Sequence, residues 1–257
     1  MRVWRLGLLA VAAAALAQRP AFEAFEVATV KPGATGRYIR MVTAHEFTAH
    51  NHAVKTLIAA AYNLSPKAIS GGPAWVDSDR WEILAKAPGE VRPNLDEQMA
   101  MLRNLLAERF QLRFHRARKE LSIYALTIAK GGPKLKESAA ASDAPEGPPP
   151  LIFVLSPKGI SPPAHSATVG ELASVMQRAA LDRPVVDQTR LTGRYDFTLE
   201  WTPDETQFDG LAPTDNGDAA KPGLFTAIQQ QLGLRLEATR GPVDVLVIDG
   251  VRRAGEN

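Results

Sequence analysis

The sequence predicts an α+β fold: a tandem duplication of a strand-helix-strand-strand-helix-strand-strand unit, with mixed small sheets flanked by helices. Three observations carry this. Arg80, Trp81, Glu82 and Ile83 answer to Arg194, Tyr195, Asp196 and Phe197, and the run Phe110-Gln111-Leu112-Arg113-Phe114 answers to Leu232-Gly233-Leu234-Arg235-Leu236 at nearly the same distance further on. Such a recurrence reports a packing unit. Apolar residues also switch between helical and strand periodicity in the same order in both halves. Finally, residues 137–150 hold only Ala, Ser, Asp, Glu, Gly and four Pro, which bury too little apolar surface to offset the entropy of ordering. The expected organisation is a first α+β repeat over 22–136, a disordered Pro/Ala linker over 137–150 and a second repeat over 151–252.

Each element follows from its pattern. Phe25 to Val30 and Tyr38 to Thr43 read as leading strands. Val54, Leu57, Ile58 and Ala61 share one helix face, as do Val169, Leu172, Ala173 and Met176 in the second half. Thr168 and Glu171 form a capping box for the latter helix. Turns follow at Gly71-Gly72-Pro73 and over 187–193. Alternation then takes over: Trp81, Ile83 and Ala85 oppose Arg80, Glu82 and Lys86, and Tyr195, Phe197, Leu199 and Trp201 oppose Arg194, Asp196, Thr198 and Glu200. A second helix carries Met99, Leu102, Leu105 and Leu106 behind an Asn94/Glu97 cap, matched by Leu224, Phe225, Ile228 and Leu232. Gly233 suits a left-handed helix end, where the first half has Gln111. Each half should close with two strands, 112–114 then 123–128, and 234–236 then 243–248, the last of them central in a sheet. The segment 202–222, with five acids among Pro, Gly and Asn, reads as a flexible acidic surface loop grown by insertion.

The first 17 residues read as a signal peptide: Arg2 and Arg5, an apolar run from Leu6 to Leu16, and Ala15-Leu16-Ala17 as the cleavage pattern. The expected location is therefore periplasmic or secreted. The chain has no Cys, so disulfides and thiol chemistry are excluded. Lys and Arg number 30 against 28 Asp and Glu, and cleavage after Ala17 leaves 28 of each sign. A neutral mature chain is a poor match for a nucleic-acid binder, and the short basic run 113–119 reads as the solvated face of a strand and its turn.

Phe25-Glu26-Val27-Ala28-Thr29-Val30-Lys31-Pro32, Gly71-Gly72-Pro73-Ala74-Trp75, Met101-Leu102 with Leu105-Leu106-Ala107-Glu108-Arg109-Phe110, Lys130-Gly131-Gly132-Pro133-Lys134-Leu135, Leu191-Thr192-Gly193-Arg194-Tyr195-Asp196-Phe197 and Gln231-Leu232-Gly233-Leu234 stand in this order along the chain. They resemble the signature phrases of an acidobacterial family of exported proteins, the domain of unknown function numbered 3738. That resemblance carries over no catalytic residues, because the family has no established function. By its element order each half also loosely resembles the short N-terminal domain of secretins and TonB-dependent receptors. This second likeness implies a small module that docks envelope proteins.

Candidate chemistry is sparse. His45 and His50 stand five residues apart, which on a helix rotates one from the other by about 140°, so the zinc-protease pattern is not met. His50 and His52 could share a strand face with His45 nearby. Asp77, Asp79 and Glu82, with Asp187 and Asp196, could pair as hydrolytic carboxylates, but Asp77-Ser78-Asp79-Arg80 also has the composition of a turn. Lys130-Gly131-Gly132-Pro133-Lys134 could cradle an anion or simply end a strand. The expected role is a non-enzymatic binding or docking protein for an envelope partner, without cofactor, metal or nucleic acid. Its candidate surface is Trp75, Pro73, Arg80 and Arg194. The alternatives are a carbohydrate-directed hydrolase or a small-ligand sensor, each with its site between the two halves.

Overall fold

The computed structural model describes residues 21–33, 36, 38–41, 43, 45–139, 151, 154–156, 159–161, 163–210 and 221–255. The expected signal peptide, residues 140–150 of the expected linker and residues 211–220 of the acidic loop lie outside them. In the N-terminal half, β1 (Val27–Pro32), β2 (Tyr38–Met41) and β3 (Glu46–Ala53) lead into α1 (Val54–Ala61). Then come β4 (Ile69–Gly71), the short α2 (Trp75–Ser78), β5 (Arg80–Lys86), α3 (Leu95–Arg109) and β6 (Arg113–Ile128). The C-terminal half contains β7 (Lys136–Glu137), β8 (Val154–Ser156), β9 (Gly159–Ser161) and β10 (Pro163–Ala167). It continues with α4 (Val169–Val175), which runs on as a π-turn over Met176–Ala180, and with β11 (Val185–Asp187) and β12 (Tyr195–Thr198). Last come α5 (Leu224–Ala227), extended by a second π-turn over Ile228–Leu232, and β13 (Leu234–Gly250).

The strands form an N-terminal sheet in the order β1-β5-β3-β2, a smaller C-terminal sheet β10-β12-β7, a central sheet β11-β6-β13-β4 and the hairpin β8-β9. The central sheet joins the halves. β6 and β13 pair antiparallel from Leu234↔Ile128 to Ile248↔Phe114, a ribbon roughly 50 Å long at about 3.3 Å per residue. The sequence suggested two strands with a turn at the end of each half; instead each pair is one continuous strand. The polar middle of β6 stays paired with the backbone of β13, as in Arg118↔Asp244 and Lys119↔Val243, so the ladder carries the strand where side chains gain little burial. The 243–248 segment is central, with β6 on one side and β4 on the other.

Each end of the ribbon enters a different core. Leu112, Leu246 and Ile248 pack with α1, α3 and the inner face of the N-terminal sheet, among them Phe47, Leu57, Ile58, Ile83, Leu102, Leu106 and Phe110. At the far end Leu126, Leu234 and Leu236 pack with α4, α5 and the C-terminal sheet, where Trp201 is fully buried. The apolar helix faces read from the sequence lie in these cores, except that Phe225 faces outward and meets Tyr124 edge-on. Both expected capping boxes form, Asn94 with Glu97 and Thr168 with Glu171. Loss of such a cap typically costs about 1 kcal/mol.

Local geometry recurs between the halves. β3 meets β5 at Ala49↔Ile83 and, past a bulge, at His52↔Trp81. β10 meets β12 at Ala164↔Phe197 and, past a bulge, at Ala167↔Tyr195. Asn51 and Ser166, the bulge residues, both have positive φ. β4 adds parallel to β13 at Ile69↔Leu246, and β11 adds parallel to β6 at Val185↔Tyr124. Two expectations need correction: Asp77 and Ser78, read as the start of a turn, lie in α2 with Trp75 and Val76, and Glu137, placed in the linker, pairs with Tyr195 in β12. The first part of the acidic segment is anchored: Trp201 Nε1 donates to the buried Gln207 Oε1 at 2.8 Å, and Phe208 stacks on the indole.

The helix ends before β6 and β13 also correspond. Gln111 and Gly233 are both left-handed, with φ of 49° and 64°. A Cβ at Gly233 would collide with the Gly132 carbonyl, whereas Gln111 is exposed. Gly233→Ala should therefore cost more than the roughly 1–2 kcal/mol of a left-handed backbone alone. Gln111→Gly should stay within about 1 kcal/mol of the parent. Urea unfolding of the two variants checks the contrast.

Candidate functional site

A cleft of about 480 Å³ lies where the ends of α1 and α4 face each other. From the N-terminal half it is lined by residues 60–63 and by Leu95, Asp96, Met99 and Arg103 of α3; from the C-terminal half by Leu151, Glu171, Ser174, Val175 and Arg178; and by Arg116 of β6. Local sequence explains its walls. Asn63 takes the left-handed conformation after α1 (φ 54°), so its amide reaches Ala60 O and the amide of Leu64 reaches Ala59 O, closing the helix with a Schellman motif. That turn clasps the other half: Asn63 Nδ2 donates to Ser174 Oγ at 3.0 Å, and Gln177 Nε2 donates to Asn63 O at 3.1 Å. Opposite it, α4 widens into the π-turn that carries Arg178, a distortion that often marks functional sites.

The cleft is cationic. Arg103 donates to Ala61 O at 2.7 Å and lies over the Tyr62 ring, which packs edge-on against Phe114. Arg178 is half-buried, donates from Nε to Ser174 O at 3.1 Å, and is drawn below the ordinary guanidinium value by burial. Among the described residues no carboxylate forms an ion pair with Arg103, Arg116 or Arg178. Of the two acids at the cleft, Glu171 is engaged by the Thr168 amide and by Arg194, and Asp96 is exposed in the first turn of α3.

The residues singled out from sequence sit elsewhere. Asp77 pairs with Lys55 at 2.9 Å, Asp79 with Arg253 at 2.7 Å, and Asp187 closes its own turn by accepting from Thr189. Asp196 accepts from the Ser166 amide, which holds its carboxyl below the ordinary range. Glu82 points away from the core as expected, yet it is only 7% exposed, enclosed by Lys31 and His50 at 3.6 and 3.7 Å. The His residues part company: the His45 carbonyl accepts from Ala87, His50 faces Glu82 and Tyr38, and His52 lies beside Thr56. Among the described residues no three His, Cys, Asp or Glu side chains are grouped to hold a metal. The Lys130–Lys134 turn packs on the end of α5, where the Lys134 amide is used by Leu232 O. Pro73 is exposed and Trp75 lies under the Arg253 guanidinium, with Arg80 bonded to Asp77 O in the same short stretch. Arg194 belongs to the other half, bound to Ser166 O.

Sequence reasoning missed Arg103, Arg116 and Arg178. They come from α3, β6 and the π-turn, so no local motif joins them. The one available signal was Arg116 within the basic run 113–119.

The cleft makes a spectroscopic prediction. Burial pushes the Tyr62 hydroxyl above the ordinary tyrosine value, while Arg103 and Arg116 pull it back by favouring the phenolate. Removing a cation removes that pull, so Arg103→Met should raise the Tyr62 pKa further. Alkaline difference spectra, with Tyr62→Phe as the subtraction, read the shift.

No curated protein and no solved structure matches the chain. No helix among the described residues is long and apolar enough to cross a membrane. The family described as "Protein of unknown function (DUF3738)" matches residues 55–251, a span that begins in α1 and ends just beyond β13 and so takes in every wall of the cleft. The chain belongs to the DUF3738 family.

Proposed function

We propose that this is an exported, non-catalytic binding protein made of two copies of one α+β unit, with its ligand site in the cleft between them. The cleft is the observation that carries the reading: its volume of about 480 Å³ is that of a small-molecule pocket, and both halves line it. Duplication is supported by the matched bulges at Asn51 and Ser166, the matched left-handed residues Gln111 and Gly233, and the matched parallel additions of β4 and β11. Export rests on the basic, apolar and small-residue start of the chain. A binding role rather than hydrolysis is favoured because Asp77, Asp79 and Asp187 each serve a separate contact.

Docking of an envelope protein is the second reading. It is favoured by Val27 and Leu84, 63% and 40% exposed on the edge strand β1 and its neighbour β5, and by the loose likeness to secretin and receptor docking domains. Crystallographic fragment screening of the mature chain separates the two. Fragments should gather in the cleft, and Ser174→Trp should exclude them. Fragments confined to the Val27 and Leu84 face, or scattered over the surface, would sink the cleft reading.

A further inference from the structure

Resting on the cleft reading above, we infer that the ligand is a small organic acid, its carboxylate held by Arg178, Arg103 and Arg116 and its apolar body lying along Leu95, Met99 and Val175. Three guanidinium groups line the cleft, and among the described residues none has an ion-pair partner. Glu171 is already engaged by Thr168 and Arg194. Asp96 is the one acid left, and it is exposed at the rim in the first turn of α3. The cleft therefore has a surplus of positive charge in a partly dehydrated setting, where an anion gains more than it would in bulk water.

The donor type narrows the class. A guanidinium offers five N–H donors in a planar fork that fits a carboxylate bidentately. Arg178 gives one of its donors to Ser174 O, and among the described residues the others have no protein acceptor. A half-buried cation in that state is costly on its own and is relieved by an acceptor from outside. Arg103 is fixed in place by the Ala61 carbonyl and the Tyr62 ring, so it is held ready for the ligand rather than free to swing.

The walls supply the other half of the specificity. Leu95 is 39% exposed although it borders a concave site, and Met99 and Val175 lie beside it. An inorganic anion would leave this surface wet. An acid with a hydrocarbon or aromatic body would cover it, gaining roughly 25 cal/mol for each Å² of apolar area removed from water.

Titration calorimetry on the mature chain with 4-phenylbutanoate, its primary amide and inorganic phosphate tests the assignment. The acid should bind at least about tenfold more tightly than the amide, as charge-assisted hydrogen bonds require, and the gap should narrow as salt is raised. Arg178→Met should bring acid and amide to within about threefold of one another. Arg116 is exposed, so Arg116→Gln should leave the fold intact and narrow the gap in part. Equal binding of acid and amide, or binding of neither while fragments still fill the cleft, would overturn the acid assignment and leave the cleft reading standing. Phosphate binding as tightly as the acid would overturn the role of the apolar wall. If fragments also avoid the cleft, both readings fall together.

Discussion

The pairing of β6 with β13 is the constraint on which the rest of the structure depends. Each strand begins in one core and ends in the other, so neither core can be completed by one half of the chain. Leu112 and Ile248 close the first core, Leu126 and Leu234 the second, and the ladder between them fixes how far apart the two lie. Side-chain fit adds to the backbone bonds. A Cβ at Gly241 would stand 2.8 Å from Ile123 Cδ1, so a larger residue near the middle of the ribbon would require the buried Ile123 side chain to shift.

The position of the cleft follows from that ribbon. α1 and α4 each follow directly on a bulged strand and run toward the boundary between the cores, where their ends meet. The helix ends carry chemistry because they are irregular: a Schellman turn on one side leaves Asn63 reaching out to Ser174, and a π-turn on the other carries Arg178. The polar clasp between Asn63, Ser174 and Gln177 holds the walls together without filling the space beside them.

Local pattern made much of the fold legible. The apolar faces of α1, α3 and α4, the two capping boxes and the alternation in β5 each report a short-range preference, and each appears where the sequence puts it. The continuity of β6 and β13 was not legible, because residues 115–120 look like a turn until a partner strand more than a hundred positions away is known to satisfy them. α2 was missed because Asp77 and Asp79 have turn composition, although Trp75 and Val76 pack toward the core. The burial of Glu82 could not be read from alternation, since it is enclosed by Lys31 and His50 from two other strands. The three cleft arginines were invisible for the same reason: only the fold brings them together.

The ribbon also has two flanks that the short strands β4 and β11 cover over three residues each. Among the described residues no strand covers the flank of β6 over 113–123, and that stretch carries Arg113, Arg116, Arg118 and Lys119. A long uncovered strand edge invites pairing with another chain, and a row of like charges opposes it. Charge along this edge therefore opposes strand-to-strand pairing with another chain. The same stretch supplies Arg116 to the cleft, so the open flank of the ribbon and one wall of the cleft share a single segment of backbone.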